Sequence, residues 1–335
     1  MINTKKLKEF ARSVGADLVG IGNINNFEGT DPGKDPRFIA PQAKSIIGLG
    51  FRVLRGSLRG HEEGTQFYQY PEMGVVHLDE IYIPMVLRKV ASYLEDTGYE
   101  GVALRPEADR LHSDNPATNP EHTPVYRISA VSVRDGAPPP DVIIDNNQAA
   151  VICGLGEIGY GGFVLTPEFG PLQRFAFILT DAELDYDEEM QSHLCDFCGN
   201  CFSACPGSAY DSQPEQKITI RNNTYLFKRP DSWQCAAYYM GACGEKNPFI
   251  DPDIIRNLPD GEKILNGTKR LSPEEVMKLK PILEEAYPGM RFGYNAAVCG
   301  RACWRACLIH LEEKNLIKTK FRYPFRKREE WKLKL

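Results

Sequence analysis

The sequence lacks any long apolar run and any strong excess of one charge sign. Its 335 residues carry 40 lysines and arginines against 45 aspartates and glutamates, a net charge of −5. No stretch approaches the roughly 18 continuous apolar residues of a membrane-spanning helix, and nucleic-acid binders usually show a concentrated basic face. The opening MINTKKLKEF has no signal-peptide apolar segment, and no twin arginine occurs. We therefore expect a cytoplasmic protein with no membrane partner and no nucleic-acid partner.

Cysteine, in contrast, is abundant and clustered. Cytosolic thiols stay reduced, so clustered cysteines there indicate metal rather than disulfides. The stretch CDFCGNCFSACP has the spacing C-x2-C-x2-C-x3-C-P of bacterial ferredoxins, which hold [4Fe–4S] clusters. Its first three thiolates point at one cluster, and we expect the fourth cysteine to start a helix that leads to a second. The four cysteines of this run are Cys195, Cys198, Cys201 and Cys205.

Two clusters need more thiolates than this run supplies. The late stretch VCGRACWRACLIH offers Cys299, Cys303 and Cys307, whose spacing would place them along one face of a helix. A further ligand must come from elsewhere, and we favour Cys235 in WQCAAYY over the alternative Cys243 in GACG. The other sulfur and nitrogen side chains have simpler interpretations. We expect Cys153 to be a small buried thiol and His310 to be a helix-surface residue.

The order of predicted elements indicates two parts. Helices are predicted over 4–15, 78–97 and 146–153, and they alternate with short apolar strands such as ADLVGIG and AKSIIGLGF. This alternation predicts an α/β or α+β domain over residues 1–187. Residues 188–335 are expected to form a smaller domain that is stapled by metal, with a polar insertion at about 241–295.

The chain resembles the corrinoid and iron–sulfur reductases, which include the reductive dehalogenases and the epoxyqueuosine reductases. The resemblance is carried by AAVICGLGEIGYGGFVLTPEFGPLQRFAFILTD, followed by the ferredoxin run, WQCAAYY and the late cysteine triplet. The opening LKEFARSVGADLVGIG is similar to both branches. The second run departs from the epoxyqueuosine branch, because its spacing is C-x3-C-x3-C and Leu308 stands where that branch has proline.

This resemblance implies a nitroreductase-like domain that binds cobalamin, with a C-terminal ferredoxin-like domain that holds two [4Fe–4S] clusters. It assigns Cys195, Cys198, Cys201 and Cys307 to one cluster, and Cys205, Cys235, Cys299 and Cys303 to the other. It also implies that GLGEIGYGG and TPEFG line the corrinoid. The candidate corrinoid contacts are Gly154, Gly156, Gly159 and Thr166.

Reductive removal of a leaving group consumes protons as well as electrons, so a proton donor is expected. In the dehalogenases, a tyrosine supported by a basic residue serves. By approximate order along the chain, the candidates are Tyr68, Tyr70, Arg127 and Arg134, and the epoxyqueuosine branch adds Asp141 or Asp145. An ordinary, partly buried tyrosine is the competing interpretation for the first two.

The sequence therefore predicts a cytoplasmic, cobalamin-dependent iron–sulfur reductase of a small organic substrate, similar to the reductive dehalogenases. The alternatives are an iron–sulfur electron-transfer or maturation protein without corrinoid, an epoxyqueuosine reductase-like enzyme, and a flavin-using reductase. A ferredoxin or flavodoxin is the expected low-potential electron donor. The sequence is also compatible with a homodimer.

Overall fold

The computed structural model describes residues 2–104, 132–135, 142–190, 193–244, 246–287 and 296–326. Its strands are β1 Leu18–Asn23, β2 Ser45–Arg52, β3 Val102–Leu104, β4 Glu157–Ile158, β5 Val164–Leu165, β6 Gln173–Thr180, β7 Gln216–Ile220 and β8 Asn223–Phe227. Its α-helices are α1 Thr4–Ser13, α2 Arg59–Glu63, α3 Gln69–Pro71, α4 Ile83–Asp96, α5 Asn146–Ile152, α6 Asn200–Ser203, α7 Ser232–Tyr239, α8 Asp253–Arg256, α9 Gly261–Leu265, α10 Pro273–Ala286 and α11 Ala302–Glu313. Both kinds of element are present, as the sequence predicts.

The main sheet has the order β1-β2-β6-β3, and every neighbouring pair is antiparallel. The arrangement is therefore of the α+β kind. Strands β2 and β6 are buried along almost their whole length, because helices cover both faces of the sheet. This explains why their sequences read as nearly continuous apolar runs rather than as an alternating pattern.

Helix α5 lies directly on glycines of the sheet. A Cβ atom built on Gly20 of β1 would lie 2.0 Å from the carbonyl oxygen of Cys153, the residue that ends α5. A Cβ on Gly48 of β2 would lie 2.9 Å from the Cys153 Sγ atom. Cys153 itself is fully buried, as predicted, and burial raises the pKa of its thiol. Glycine is thus needed here for the close approach of helix and sheet.

Replacing Gly20 by alanine is expected to destabilise the fold, because the new methyl group meets backbone rather than a movable side chain. Overpacking of this kind typically costs about 1–3 kcal/mol. Gly56 is the matched control, since a Cβ at that position would meet nothing within 4 Å. Chemical denaturation of both variants checks the difference. An equal free energy of unfolding for Gly20→Ala and Gly56→Ala would contradict the packing described here.

The predicted long helix over 78–97 is helical from its start, but it opens with π-helical rather than regular α-helical turns. Residues Glu72–Val76 and Leu78–Tyr82 are π-helical, and the regular helix α4 follows from Ile83. Pro84 stands in the first turn of α4, where its missing N–H leaves no hydrogen bond unmade. Single-turn π segments are rare and frequently occur at functional sites. The first π-helical segment starts at Glu72, two residues after Tyr70, a predicted site residue.

The second part of the chain packs against the first. One apolar cluster combines Leu7 of α1, Leu49 of β2 and Val90 of α4 with Leu308 of α11 and the later Phe325. The insertion at about 241–295 was predicted to be polar, but helices α7 to α10 enclose an apolar cluster. That part of the chain is therefore held by a hydrophobic core as well as by its cysteines. The domain boundary at residue 187 remains a prediction.

No helix in the described ranges has the length and apolar character that crossing a membrane requires.

Candidate metal centre and its surroundings

The structure brings Cys195, Cys198 and Cys201 of the ferredoxin run towards Cys307 of α11. Cys201 lies in the short helix α6, and α6 packs against α11. Burial raises the pKa of Cys307, and the thiols of Cys201, Cys195 and Cys198 raise it further. These four side chains are therefore electrostatic neighbours, although they are drawn from segments about a hundred residues apart.

A second set of cysteines surrounds a cavity of about 150 Å³. Its sulfur-bearing lining residues are Cys205, Cys235, Cys299 and Cys303. Cys243 is not among the lining residues of this cavity; it lies buried in the core of helices α7 to α10. The arrangement favours Cys235 over Cys243 as the fourth ligand. Aromatic side chains, among them Phe163, Tyr239 and Trp304, also line the wall of this cavity.

In the absence of metal, burial raises the pKa of several thiols in each set. Burial, followed by neighbouring thiols, raises the pKa of Cys201 to about 12. Burial also raises the pKa of Cys235 and of Cys303 to about 12, although the charge of Arg301 opposes the shift. A metal must displace these protons when it binds as a thiolate complex. Soft sulfur donors grouped in fours suit iron–sulfur clusters, so the donor set fits the group that the sequence predicts.

Two details of the cysteine positions differ from the expectation. Cys205 follows the end of α6 rather than starting a helix, and its Sγ accepts a hydrogen bond from the Ala209 amide at 3.4 Å. Cys299 precedes α11, which begins at Ala302, so only Cys303 and Cys307 lie on the helix. The even C-x3-C-x3-C spacing predicted one helix face because spacing alone does not show where a helix starts.

The turn that carries Cys299 is held in a strained conformation. Ala297, Gly300 and Arg301 all have positive φ angles, at 53°, 54° and 49°. A Cβ on Gly300 would lie 2.2 Å from the His61 ring, so only glycine fits there. Burial, and then the charge of Arg305, lowers the pKa of His61 to about 3. The neutral His61 ring donates from Nε2 to the Ala297 carbonyl at 3.1 Å and so fixes the turn.

Glu157 fixes the entrance to the ferredoxin run, a role that the sequence analysis did not identify. Its Oε1 atom accepts from the backbone amides of Leu194 at 2.6 Å and Cys195 at 2.7 Å. Burial raises the pKa of Glu157, although these two hydrogen bonds oppose the shift. Glu157 lies in β4, within the GLGEIG stretch that the sequence pattern associated with a cofactor. In the sequence, this role could have been suspected only because an acidic residue stands in a glycine-rich stretch ahead of the cysteine run.

Replacing Glu157 by alanine should loosen the first cysteine group, because two buried amides lose their acceptor. The expected cost is about 1–3 kcal/mol for each amide left unsatisfied. Glu157→Gln is the matched control, since its amide oxygen still accepts from the same donors. The measurement is the rate of iron loss to a chelator under anaerobic conditions. A similar rate in the alanine and glutamine variants would show that this carboxylate does not hold the loop.

Tyr70 and Arg301 meet beside the second cysteine set. Tyr70 is fully buried, and its hydroxyl oxygen accepts from Arg301 Nε at 3.3 Å. Arg301 also lines the cavity, and its guanidinium carbon lies 5.3 Å from the Tyr239 ring centroid and 5.0 Å from that of Trp304. Within the described part of the chain, the Tyr70 proton has no recorded acceptor. The predicted tyrosine is thus supported by a basic residue that the sequence analysis did not select.

The other proton-donor candidates lie elsewhere. Tyr68 is 46% exposed, and its ring packs on that of Phe67. Arg134 is exposed, and Asp145 caps helix α5 through the amides of Asn147 and Gln148. Asp145 also pairs with Arg229 at 2.5 Å, which gives it a structural role. The candidates Arg127 and Asp141 lie outside the described residues.

The predicted corrinoid contacts are packed against protein atoms. A Cβ on Gly154 would lie 2.4 Å from the Glu188 carbonyl oxygen, and one on Gly156 would lie 2.3 Å from that of Leu165. Gly159 faces the Leu165 side chain. Thr166 is fully buried and donates to Gln173 Oε1 at 3.0 Å. The space that these residues leave is filled by the chain itself, so their contact with a corrinoid stays a prediction that the packing does not favour.

His310 differs from a free surface residue. Its Nε2 atom lies 2.9 Å from Asp196 Oδ2, and both donor atoms lie within 4.8 Å of the Cys198 sulfur. This hydrogen bond ties α11 to the ferredoxin run beside one of its cysteines.

Comparisons with known proteins point to one superfamily. The chain is 33% identical over 100 residues to the tetrachloroethene reductive dehalogenase of Dehalobacter restrictus, a match covering 27% of this chain and 18% of the relative. It is 28% identical over 137 residues to that of Sulfurospirillum multivorans, covering 37% and 27%. The predicted resemblance to the corrinoid and iron–sulfur reductases is confirmed. The matched segments span less than a third of either relative's length. No family model matches the chain.

Solved structures of the same two branches were found. A reductive dehalogenase described as B12-dependent is similar over 88% of this chain and 37% of its own, with a TM-score of 0.48 and 16% identity. An epoxyqueuosine reductase in complex with a tRNA-Tyr stem loop is similar over 93% and 82%, with a TM-score of 0.41 and 14% identity. The relatives of both branches are oxidoreductases.

Proposed function

We propose that the chain is an oxidoreductase of the reductive dehalogenase type that holds two [4Fe–4S] clusters and reduces a small organic substrate. The observation that carries this proposal is the convergence of eight cysteines into two sets, one of them around a cavity. The expected ligands of the first cluster are Cys195, Cys198, Cys201 and Cys307. Those of the second are Cys205, Cys235, Cys299 and Cys303.

The two sets adjoin one another, which suits electron transfer between clusters. Cys201 of the first set contributes to the electrostatic environment of Cys303 in the second. An electron would enter from a low-potential donor such as ferredoxin or flavodoxin and pass from one cluster to the other. Reductive cleavage of a carbon–halogen bond takes up two electrons and one proton, and it releases the halide. The chain must therefore supply a proton at the reducing end.

Tyr70 is the proposed proton donor, with Arg301 as the residue that orients it. The Arg301 Nε–H group donates to the Tyr70 oxygen and so orients the phenolic hydroxyl. Arg301 also lines the cysteine cavity, so the proposed proton donor lies beside the second cluster. Cobalamin would supply a low-valent cobalt nucleophile when bound, but no step is assigned to it, because its predicted contacts Gly154 and Gly156 are packed against protein atoms.

The second candidate function is that of an iron–sulfur electron-transfer or maturation protein without corrinoid. The complete burial of Tyr70 and the close packing of the predicted corrinoid contacts favour it. Such a protein would hold the same two clusters but would pass electrons to a partner protein instead of a small substrate.

Anaerobic reconstitution with iron and sulfide, with and without cobalamin, tests the proposal. Tetrachloroethene, a halogenated phenol and an epoxyqueuosine-containing tRNA stem loop serve as substrates, with a chemical low-potential reductant. Halide release would support the dehalogenase type, and conversion of the stem loop would assign the chain to the tRNA-modifying branch. If both clusters are reduced but no substrate is converted under either condition, the electron-transfer function replaces the proposed one.

A further inference from the structure

Arg301 is the one charged side chain among the lining residues of the cysteine cavity. It stands in the sequence between two predicted ligands of the second cluster, Cys299 and Cys303. Its left-handed backbone, with φ at 49°, starts helix α11 and directs the side chain inwards. The rings of Tyr239 and Trp304 flank the guanidinium, so its position is fixed by packing on more than one side.

Neighbouring arginines have carboxylate partners. Arg305 pairs with Glu62 at 2.6 Å, and Arg174 pairs with the buried Asp79 at 3.5 Å. For Arg301, the described residues supply no ion pair, and its recorded hydrogen bond goes to the neutral hydroxyl of Tyr70. An enclosed charge without a counter-ion is costly. The site is therefore built to receive a negative group in the cavity.

A [4Fe–4S] cluster with four thiolate ligands is such a group. It carries net negative charge, which grows when the cluster accepts an electron, and nearby charge and hydrogen bonds set its reduction potential. A cation in a half-buried, aromatic-walled cavity stabilises the reduced form more than the oxidised form, and solvent screens it less than it screens an exposed cation. Near the first set, by contrast, the side chains beside Cys198 are the Asp196 carboxylate and its hydrogen-bond partner His310.

We propose that Arg301 is the counter-charge of the second cluster, raising its reduction potential so that electrons run from the first cluster to the second. This inference rests on the proposed presence of two clusters, and it holds for either candidate function. In this role Arg301 sets the reduction potential of the second cluster, in addition to its contact with Tyr70.

An anaerobic redox titration, followed by electron paramagnetic resonance, tests this proposal on the reconstituted full chain. In Arg301→Gln, one of the two reduction steps is expected to move to lower potential and the other to stay. The expected change is about tenfold in the ratio of reduced to oxidised cluster at a fixed potential, or about 59 mV for a one-electron couple. Arg301→Lys keeps the charge and should stay near the wild-type value.

Arg270→Gln is the matched control. Arg270 donates to the Ser208 carbonyl at 2.7 Å, near Cys205, but its side chain is 42% exposed, so solvent screens its charge. This variant should shift neither step. The proposal is overturned if Arg301→Gln keeps both potentials, or if Arg301→Lys shifts as far as Arg301→Gln. If Arg301→Gln loses one cluster while Arg301→Lys keeps both, the proposal is supported, because the charge is then what the cluster requires. If Arg301→Lys loses a cluster as well, the proposal is overturned. A wild-type chain with fewer than two clusters would instead refute the proposed function.

Discussion

Replacing Cys303 by alanine is expected to halve the iron content of the reconstituted protein, from about eight to about four atoms per chain. Cys303 lines the cavity together with Cys205, Cys235 and Cys299, so its loss leaves three thiols for the second cluster. Among the described residues that line the cavity, there is no carboxylate or histidine that could replace the lost thiolate. The first cluster should remain, because its four cysteines do not include Cys303. Iron and acid-labile sulfide analysis after anaerobic desalting gives the result.

Cys243→Ala is the matched control for this experiment. Cys243 is buried in the apolar cluster formed by helices α7 to α10, and it does not line the cavity of the second set. Its removal should leave about eight iron atoms per chain. If Cys243→Ala lost half of the iron while Cys235→Ala kept all of it, the assignment of Cys235 to the second cluster would be wrong.

Replacing Tyr70 by phenylalanine should lower substrate reduction by about 10²–10⁴-fold, the usual contribution of a positioned general acid. The substitution removes the hydroxyl that Arg301 orients and keeps the aromatic ring that fills the core. The iron content should not change, since Tyr70 is not a ligand. The measurement is the rate of product formation with a chemical reductant, together with the rate at which the clusters are reduced.

Tyr68→Phe provides the comparison on the same segment, because the Tyr68 side chain is largely exposed and does not contact Arg301. Its product formation should stay close to the wild-type rate. A split between slow product formation and normal cluster reduction in Tyr70→Phe identifies a proton-transfer role. Equal rates in both tyrosine variants would exclude Tyr70 as the donor.

The two cysteine sets show which cluster ligands can be predicted from the sequence and which cannot. The ferredoxin run could be recognised because its ligands are close in sequence and their spacing reflects one tight loop. The choice between Cys235 and Cys243 could not be made from spacing, because both lie far along the chain from their partners. Only the folded chain shows that α7 places Cys235 at the cavity, whereas Cys243 faces an apolar core.

Other features depended on contacts that no local pattern encodes. In the sequence, Arg301 is an ordinary residue between two cysteines. Its proposed role depends on Tyr70 and Tyr239, which are distant in sequence but contact it in the fold. The resemblance assigned the glycines of GLGEIG to the corrinoid. In the structure, the atoms that approach Gly154 and Gly156 most closely belong to Glu188 and Leu165. Backbone geometry of this kind is set by tertiary packing rather than by propensity.

The central claim is that eight cysteines of this chain form two separate cluster sites. The most direct test is the iron, sulfide and zinc content of the anaerobically reconstituted wild-type protein, measured together with its redox titration. We expect about eight iron and about eight sulfide per chain, no stoichiometric zinc, and two resolved one-electron steps. A reproducible content of about four iron atoms with a single step, or zinc at full occupancy, would contradict the claim.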